Sequence, residues 1–339
     1  MKTRKLPTVS IIIITWNVER TISKVLNSII VQDYPKKLIE VIAVDGNSTD
    51  KTTGILQKSP LNIRIVQSEY PKDPEACRGE GLENARNEII CFIDSDNYLP
   101  NDKWLAKMVT PFIENKEIVG SETLRFAYQK KDNFLNRYFA LIGSADPVGL
   151  YLGKADKLSY LTDNWRLFGK VLSNSKDYFL VEFEPDKFPT LGSNGFCARR
   201  KLLLKGKSDP KHYFHIDVPL DLARMGHATY AVVRETIIHD TATTLTVFLK
   251  KRANYMKLHY QKRSRDRRYK VFDPESKEDI FRIFLFILFS STFIQPIYVA
   301  TKGYLKIPDR AWFVHPIFCF CIMSIYSYAV MEKFIKKLT

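Results

Sequence analysis

Asp94 and Asp96 stand two residues apart where an apolar run stops. Ile89 to Ile93, with Cys91 and Phe92 inside it, has the length and β-branched character of a buried strand, and it ends abruptly at Asp94-Ser95-Asp96-Asn97. Alternate side chains of an extended chain share a face, so the two carboxylates can converge. A pair of hard oxygen ligands at a strand end suits Mg²⁺ or Mn²⁺ shared with phosphates. The same residues also make ordinary turns, because Asp and Asn side chains bond their own backbone there.

The elements that must position this pair precede it. Val9 to Ile14 is a β-branched run followed by Thr15-Trp16-Asn17, and Ile22, Val25, Leu26 and Ile29 then recur at helical spacing. Pro35 breaks the chain, Ile39 to Val44 forms a second apolar strand ending at Asp45, and Gly46 to Asp50 is a turn feeding a helix. A third strand, Ile63 to Val66, a helical stretch from Glu75 to Asn84, and the strand carrying Asp94 follow. Trp104, Leu105, Met108, Val109 and Phe112 read as a core-packing helix, and Ile118 to Phe126 as a further strand. Strands alternating with helices predict a mainly parallel α/β sheet with right-handed crossovers. Open sheets of this kind bind ligands beyond the carboxyl ends of their strands, so Thr15, Trp16, Asp45, Asp94 and Asp96 should gather at one edge.

Composition narrows the partners. Fifty-two Lys and Arg against 37 acids leave a net charge of +15, and 45% hydrophobic residues leave ample material for a core. Anionic partners are implied: nucleotide phosphates, lipid phosphates, an acidic membrane surface or nucleic acid. Ten of the basic residues lie between Lys250 and Lys270, where Asp266 is the one acid. Five cysteines with no Cys-x-x-Cys pair argue against a disulfide framework or structural zinc. Met1 to Pro7 leads into a strand without an apolar signal region.

Four stretches, Val9 to Asn17, Val44 to Asp50, Arg78 with Gly81 and Ala85, and Phe92 to Asn97, resemble the successive motifs of family 2 glycosyltransferases with the GT-A nucleotide-sugar-binding fold, in the family's order and spacing. The resemblance implies that Thr15, Trp16 and Asn17 line a nucleotide pocket, with the indole of Trp16 able to stack on a base or ribose; a core aromatic is the alternative. It further implies that Asp45 hydrogen-bonds the nucleobase and that Arg78 serves the diphosphate, the alternative being a solvated helix residue. Asp94 and Ser95 would lie near the ribose, and Asp94 and Asp96 would hold the metal. The pattern departs from many members at Gly46, where they have a second Asp, and at Gly79, where they have Asn.

The resemblance extends with gaps into the second half. Leu191 to Phe196 resembles the small-residue turn at which Asn194 and Gly195 would accommodate the donor sugar, although a plain tight turn has the same composition. Asp217 stands where the family carries an acidic residue, which implies a general base taking a proton from an acceptor hydroxyl, with inversion at the anomeric centre. If Asp217 is a helix cap instead, Asp221 is the next candidate. His239 would complete the metal site beside the carboxylates, or would be an ordinary strand-end histidine. Asp146-Pro147 is most simply a turn.

The tail suggests a membrane. Ile280 to Ala300 is 21 residues with one charge, Arg282, and Ala311 to Met331 is 21 residues with none. Each matches the ~20 residues that cross a bilayer as a helix. Together they predict a transmembrane helical hairpin, or a re-entrant or interfacial pair given Pro296 and His315-Pro316. The positive-inside rule then places the cluster from Lys250 to Lys270 and Lys333, Lys336 and Lys337 in the cytoplasm, with the catalytic body and both termini on that face of the cell membrane. The apolar tail argues for a membrane-associated or lipid-linked acceptor and against nucleic acid. The expected organisation is 1–126 as the nucleotide-sugar-binding half, 127–245 as the acceptor-side and catalytic half, 246–279 as a basic juxtamembrane segment, and 280–339 as a two-helix anchor.

Overall fold

The computed structural model describes residues 5–241, 244–256 and 267–338. Lys257, Lys262, Arg263 and Arg265 of the basic stretch lie outside the described residues. The chain divides into two compact units: unit 1 comprises Met1–Ala127 and Phe168–Asp240, and unit 2 comprises Tyr128–Leu167 and Thr241–Thr339. The expected boundary after residue 126 falls beside a unit boundary, while the stretch 127–245 is shared between the units.

Unit 1 is built on one mixed sheet. Its strands are β1 (Val9–Thr15), β2 (Ile39–Asp45), β3 (Ile63–Gln67), β4 (Ile89–Asp94), β5 (Asn97–Tyr98), β6 (Gly120–Phe126), β7 (Lys170–Asn174), β8 (Tyr178–Glu182), β9 (Phe196–Arg199) and β10 (Thr229–His239). The order is β3-β2-β1-β4-β9-β6-β10-β8-β7, with β5 paired to β10. From β3 to β4 the sheet is parallel, as the strand-helix alternation predicts. Beyond β4 the expectation of a mainly parallel sheet needs correcting. Strand β9 enters antiparallel between β4 and β6, and β7 and β8 add an antiparallel edge. These strands are only four or five residues long and carry little periodic signal.

The helices of unit 1 are α1 (Ile22–Ile30), α2 (Thr52–Gln57), α3 (Pro74–Asn84), α4 (Trp104–Glu114), α7 (Arg200–Leu203) and α8 (Asp217–Arg224); unit 2 supplies α5 (Phe134–Ile142), α6 (Pro147–Tyr151), α9 (Leu245–Tyr255), α10 (Lys277–Thr292), α11 (Ile294–Lys306) and α12 (Val314–Leu338). Helix α3 is weakly amphipathic and lies close against β1, because a Cβ on Gly81 would meet Ile12 Cγ2 at 2.4 Å. That approach fixes the height of the helix over the strands whose ends carry the carboxylates.

Unit 2 is helical, with one apolar core contributed by Tyr138, Phe139, Phe248, Phe286, Trp312 and Phe318 among others. Among the described residues, one helix, Arg310–Ile335, is long and apolar enough to cross a membrane. The first predicted span is not continuous. Lys277–Thr292 and Ile294–Lys306 meet at an 80° bend, at Phe293, whose φ of 61° ends α10 in the left-handed region. Pro296, which has no N–H to donate, then sits in the first turn of α11, where none is needed.

Candidate active site

Sheet register brings the predicted residues to one edge of unit 1. Thr15 pairs with Asp45 across β1 and β2, and Ile14 pairs with Asp94 across β1 and β4, so three parallel strands end together. Strand β9 begins at the same edge: Gly195 N–H donates to the Phe92 carbonyl at 2.9 Å, and Asn194 N–H to Asp94 Oδ2 at 3.2 Å. Strand β10 runs parallel to β6 and ends at His239, which pairs with Asn97 just past Asp96. The Asp240 N–H then donates to the Asp96 carbonyl at 2.8 Å, and Arg20 clamps the Asp240 carboxylate at 2.8 Å.

The loops at this edge are held in conformations that few residues tolerate. Asn17, Asn47 and Asn194 all adopt positive φ (52°, 67° and 54°), the region that Asn enters more readily than most side chains. Asn17 Oδ1 accepts from the N–H groups of Thr49 and Asp50, tying the loop after β1 to the loop after β2. Gly192, at φ 117°, lies so near His215 that an added Cβ would fall 2.1 Å from its carbonyl oxygen. Only glycine fits that approach.

Asp45 is buried and much of its capacity is taken internally. Its Oδ1 accepts from Thr15 Oγ1 at 3.0 Å and Ser48 Oγ at 2.6 Å, and its Oδ2 from Ser48 N–H at 2.9 Å. Thr15 is likewise buried, so its hydroxyl orients Asp45 rather than facing solvent. Trp16 is 44% exposed, with Lys72 Nζ 5.7 Å from its ring centroid, which removes the core-aromatic alternative. Ser95 and Asp96 are half-buried just past Asp94, at the end of β4.

Arg78 is neither solvated nor presented to solvent. Its guanidinium joins two carboxylates, Glu75 at 2.9 Å and Asp94 through a short ion pair. Glu75 in turn accepts from the His215 backbone N–H at 2.9 Å and meets His215 Nδ1 at 2.8 Å. Burial opposes ionisation of Glu75, but the facing His215 and Arg78 hold its carboxyl well below the usual carboxylate range. Burial likewise opposes the charge on Arg78, and Asp94 and Glu75 override it, raising its already high pKa. Glu75 and His215 were not singled out from sequence. The i, i+3 spacing of Glu75 and Arg78 was the legible signal for the first; nothing local marks the second.

Asp217 and Asp221 are set differently. Asp217 is the first residue of α8 rather than its cap, which is Ile216, and it is 0% exposed. Asp221 is buried on the same helix and accepts from the Lys207 N–H at 3.4 Å.

Among the described residues, no three His, Cys, Asp or Glu side chains group closely enough to hold a metal alone. The edge offers a pair instead. His239 Nε2 lies 3.6 Å from Asp96 Oδ2, and His239 Nδ1 is buried without a hydrogen-bond partner, so the ring's polar contact is made through Nε2. Asp94 is turned toward Arg78 and Asn194. A carboxylate oxygen with an imidazole nitrogen fits a divalent ion that takes its remaining ligands from a substrate's phosphates.

Residues 10–179 match the model of the family described as glycosyl transferase family 2. The chain belongs to that family. Among family proteins of known activity, 108 residues are 38% identical to the poly(ribitol-phosphate) beta-N-acetylglucosaminyltransferase TarS of Staphylococcus aureus, covering 31% of this chain and 18% of TarS. Over 99 residues the chain is also 35% identical to the dolichyl N-acetyl-alpha-D-glucosaminyl phosphate 3-beta-D-2,3-diacetamido-2,3-dideoxy-beta-D-glucuronosyltransferase of Methanococcus voltae, covering 28% of this chain and 30% of that one. The chain thus spans less than a third of the length of either relative in these matches. The mannosyltransferase PcManGT of Pyrobaculum calidifontis, solved with GDP-Man and Mn²⁺, superposes with a TM-score of 0.53 at 15% identity, over 94% of this chain and 87% of that one. That likeness establishes the GT-A fold.

Proposed function

We propose that this chain transfers a sugar from a nucleoside-diphosphate sugar to a lipid-linked or membrane-proximal acceptor, with inversion and with the help of Mg²⁺ or Mn²⁺. The observation that carries the reading is the placement of Asp45 and Asp94 at the ends of β2 and β4, on either side of β1, with Asp96 two residues past β4, all within the family-matched residues. Relatives that act on poly(ribitol-phosphate) and on a dolichyl phosphate-linked sugar support an acceptor of this class.

In this reading Trp16 stacks on the nucleoside and Asp45 accepts from its base, while Asn194 and Gly195 admit the sugar. Arg78 fixes the Asp94 carboxylate for the ribose. Asp96 and His239 would hold the metal, which when bound stabilises the charge on the leaving diphosphate. Asp217, with Asp221 second, is the candidate base. The burial of Asp217 favours a second reading in which the acceptor is a polyprenyl phosphate, whose oxygen is already ionised and needs no base.

Donor turnover by the protein in lipid nanodiscs, over a panel of sugar nucleotides with Mg²⁺ or Mn²⁺, tests both readings. We expect release of one nucleoside diphosphate, falling by about 10²–10³-fold in Asp96→Ala as for loss of a group that stabilises developing charge. Survival in Asp217→Asn selects the phosphate acceptor. Absence of turnover and of donor binding by folded protein, with lipid acceptors supplied, would leave a non-catalytic membrane scaffold.

A further inference from the structure

The apolar helices of unit 2 have two unlike faces. On α12, His315, Phe318, Cys319, Ile322 and Ala329 are buried and recur at helical spacing, whereas Ile317 and Met331 on other faces are 56% and 63% exposed. Helix α10 buries Asp279, Phe286 and Ser290 but exposes Phe284 and Leu288; α11 buries Pro296, Ala300 and Gly303 but exposes Ile294 and Ile297. Inner faces share the unit's core. Outer faces form an apolar surface over three helices, far beyond the scattered exposure of a soluble protein.

The inner faces are anchored to one polar segment. Asp279, at the start of α10, pairs with Lys154 at 2.6 Å. At the exposed C-terminal end of α11, Lys306 pairs with Asp163, and just beyond it Asp309 pairs with Arg137, each at 2.9 Å. Far along α12, Tyr326 Oη donates to Asp146 at 2.8 Å, and Arg252 pairs with the same carboxylate. Lys154, Asp163, Arg137 and Asp146 all lie within 128–167, a segment with ten charged residues. Such a segment cannot occupy hydrocarbon. A helix pair that crossed a bilayer would leave its two ends about 30 Å apart on opposite sides, yet the start of α10 and the end of α11 both return to it. At 1.5 Å per residue, α10 and α11 are also only about 24 and 20 Å long.

We propose that α10, α11 and α12 form a monotopic membrane surface: the three helices lie in one leaflet, outer faces in the acyl chains, and none crosses to the far side. The proposal rests on the reading of a membrane-proximal acceptor and specifies how the membrane is met. Exposed cations on and between these helices, Lys277, Lys302 and Arg310, complement anionic headgroups while their stems lie along apolar surface.

The test adds full-length protein to preformed, sealed vesicles of phosphatidylcholine and phosphatidylglycerol. Single variants Lys277→Cys, Lys302→Cys and Lys333→Cys, each made in Cys321→Ser protein because the other native thiols are buried, are exposed to a membrane-impermeant maleimide outside the vesicles. All three sites label equally before and after detergent if the surface is monotopic. A site that labels only once detergent opens the vesicles overturns the proposal in favour of a span. Phe284→Glu with Leu288→Glu should lower the floated fraction about tenfold or more, since both changes take apolar surface out of the acyl chains; unchanged flotation also overturns it. Failure of the parent protein to float at all would refute the membrane reading itself, and donor turnover measured in detergent separates that result from loss of the transferase activity.

Discussion

The charge chain of unit 1 runs from His215 through Glu75 and Arg78 to Asp94, whose side chain is still 18% exposed at the sheet edge, whereas Lys154–Asp279 in unit 2 joins a segment to a helix with both partners under 8% exposed. Both arrangements take ions out of water, and neither is needed for stability in the way an apolar contact is, because desolvation offsets most of the attraction. The difference lies in what the geometry gains. In unit 1 the ions fix a carboxylate at the partly exposed edge of the sheet. In unit 2 they give direction to helices whose apolar packing is strong but unselective in rotation.

That contrast is breakable. The largest effect is expected in unit 2: Asp279→Ala strands Lys154 and should destabilise the protein by about 3–5 kcal/mol, read by chemical denaturation, with donor affinity in the remaining folded fraction unchanged. Equal loss of donor affinity would mean that the units are not separable in function.

Glu75→Gln in unit 1 should be milder in stability, about 3 kcal/mol at pH 7, but should also weaken donor binding through Asp94. Its pH signature is specific. A carboxyl whose folded pKa is depressed stabilises the fold above its unfolded value of about 4.3, and this contribution disappears as pH falls through the folded value. The parent protein should therefore lose stability on acidification faster than Glu75→Gln, and the two should approach each other at low pH. Parallel pH profiles would remove Glu75 from the ionised chain.

The smallest effect belongs to Trp16→Ala. With Trp16 exposed at the edge, its loss should leave stability within about 0.5 kcal/mol and weaken nucleotide binding by about 1 kcal/mol, roughly fivefold, by calorimetry. A large stability loss would assign the indole to packing after all.

The sequence was most legible where chemistry and periodicity coincide. Strands β1, β2 and β4 are β-branched runs stopped by Thr15, Asp45 and Asp94, so their existence and shared edge followed from composition and alternation alone. The antiparallel pairing of β9 was hidden because Phe196–Arg199 is four residues long and pairs only with strands distant in sequence. His215 was hidden for the same reason, since its meaning comes from Glu75, 140 residues earlier. The break at Phe293 lay inside a run whose hydropathy reads as one continuous span. Hydropathy reports what a segment is made of and is blind to a single residue at positive φ.

The division of the chain into units also has a consequence in time. Helices α5 and α6 are complete at Tyr151, but α9, the first of the later helices that share their core, begins at Leu245, 94 residues on (245 − 151). At about 5–20 residues per second, a ribosome makes those residues in roughly 5–20 s. During that interval the remainder of unit 1 is synthesised and can close its sheet, while Tyr138 and Phe139 await their partners. The nascent chain therefore presents a finished fold and an uncovered apolar helix together, a state in which a nearby bilayer or a chaperone has its longest opportunity to engage it.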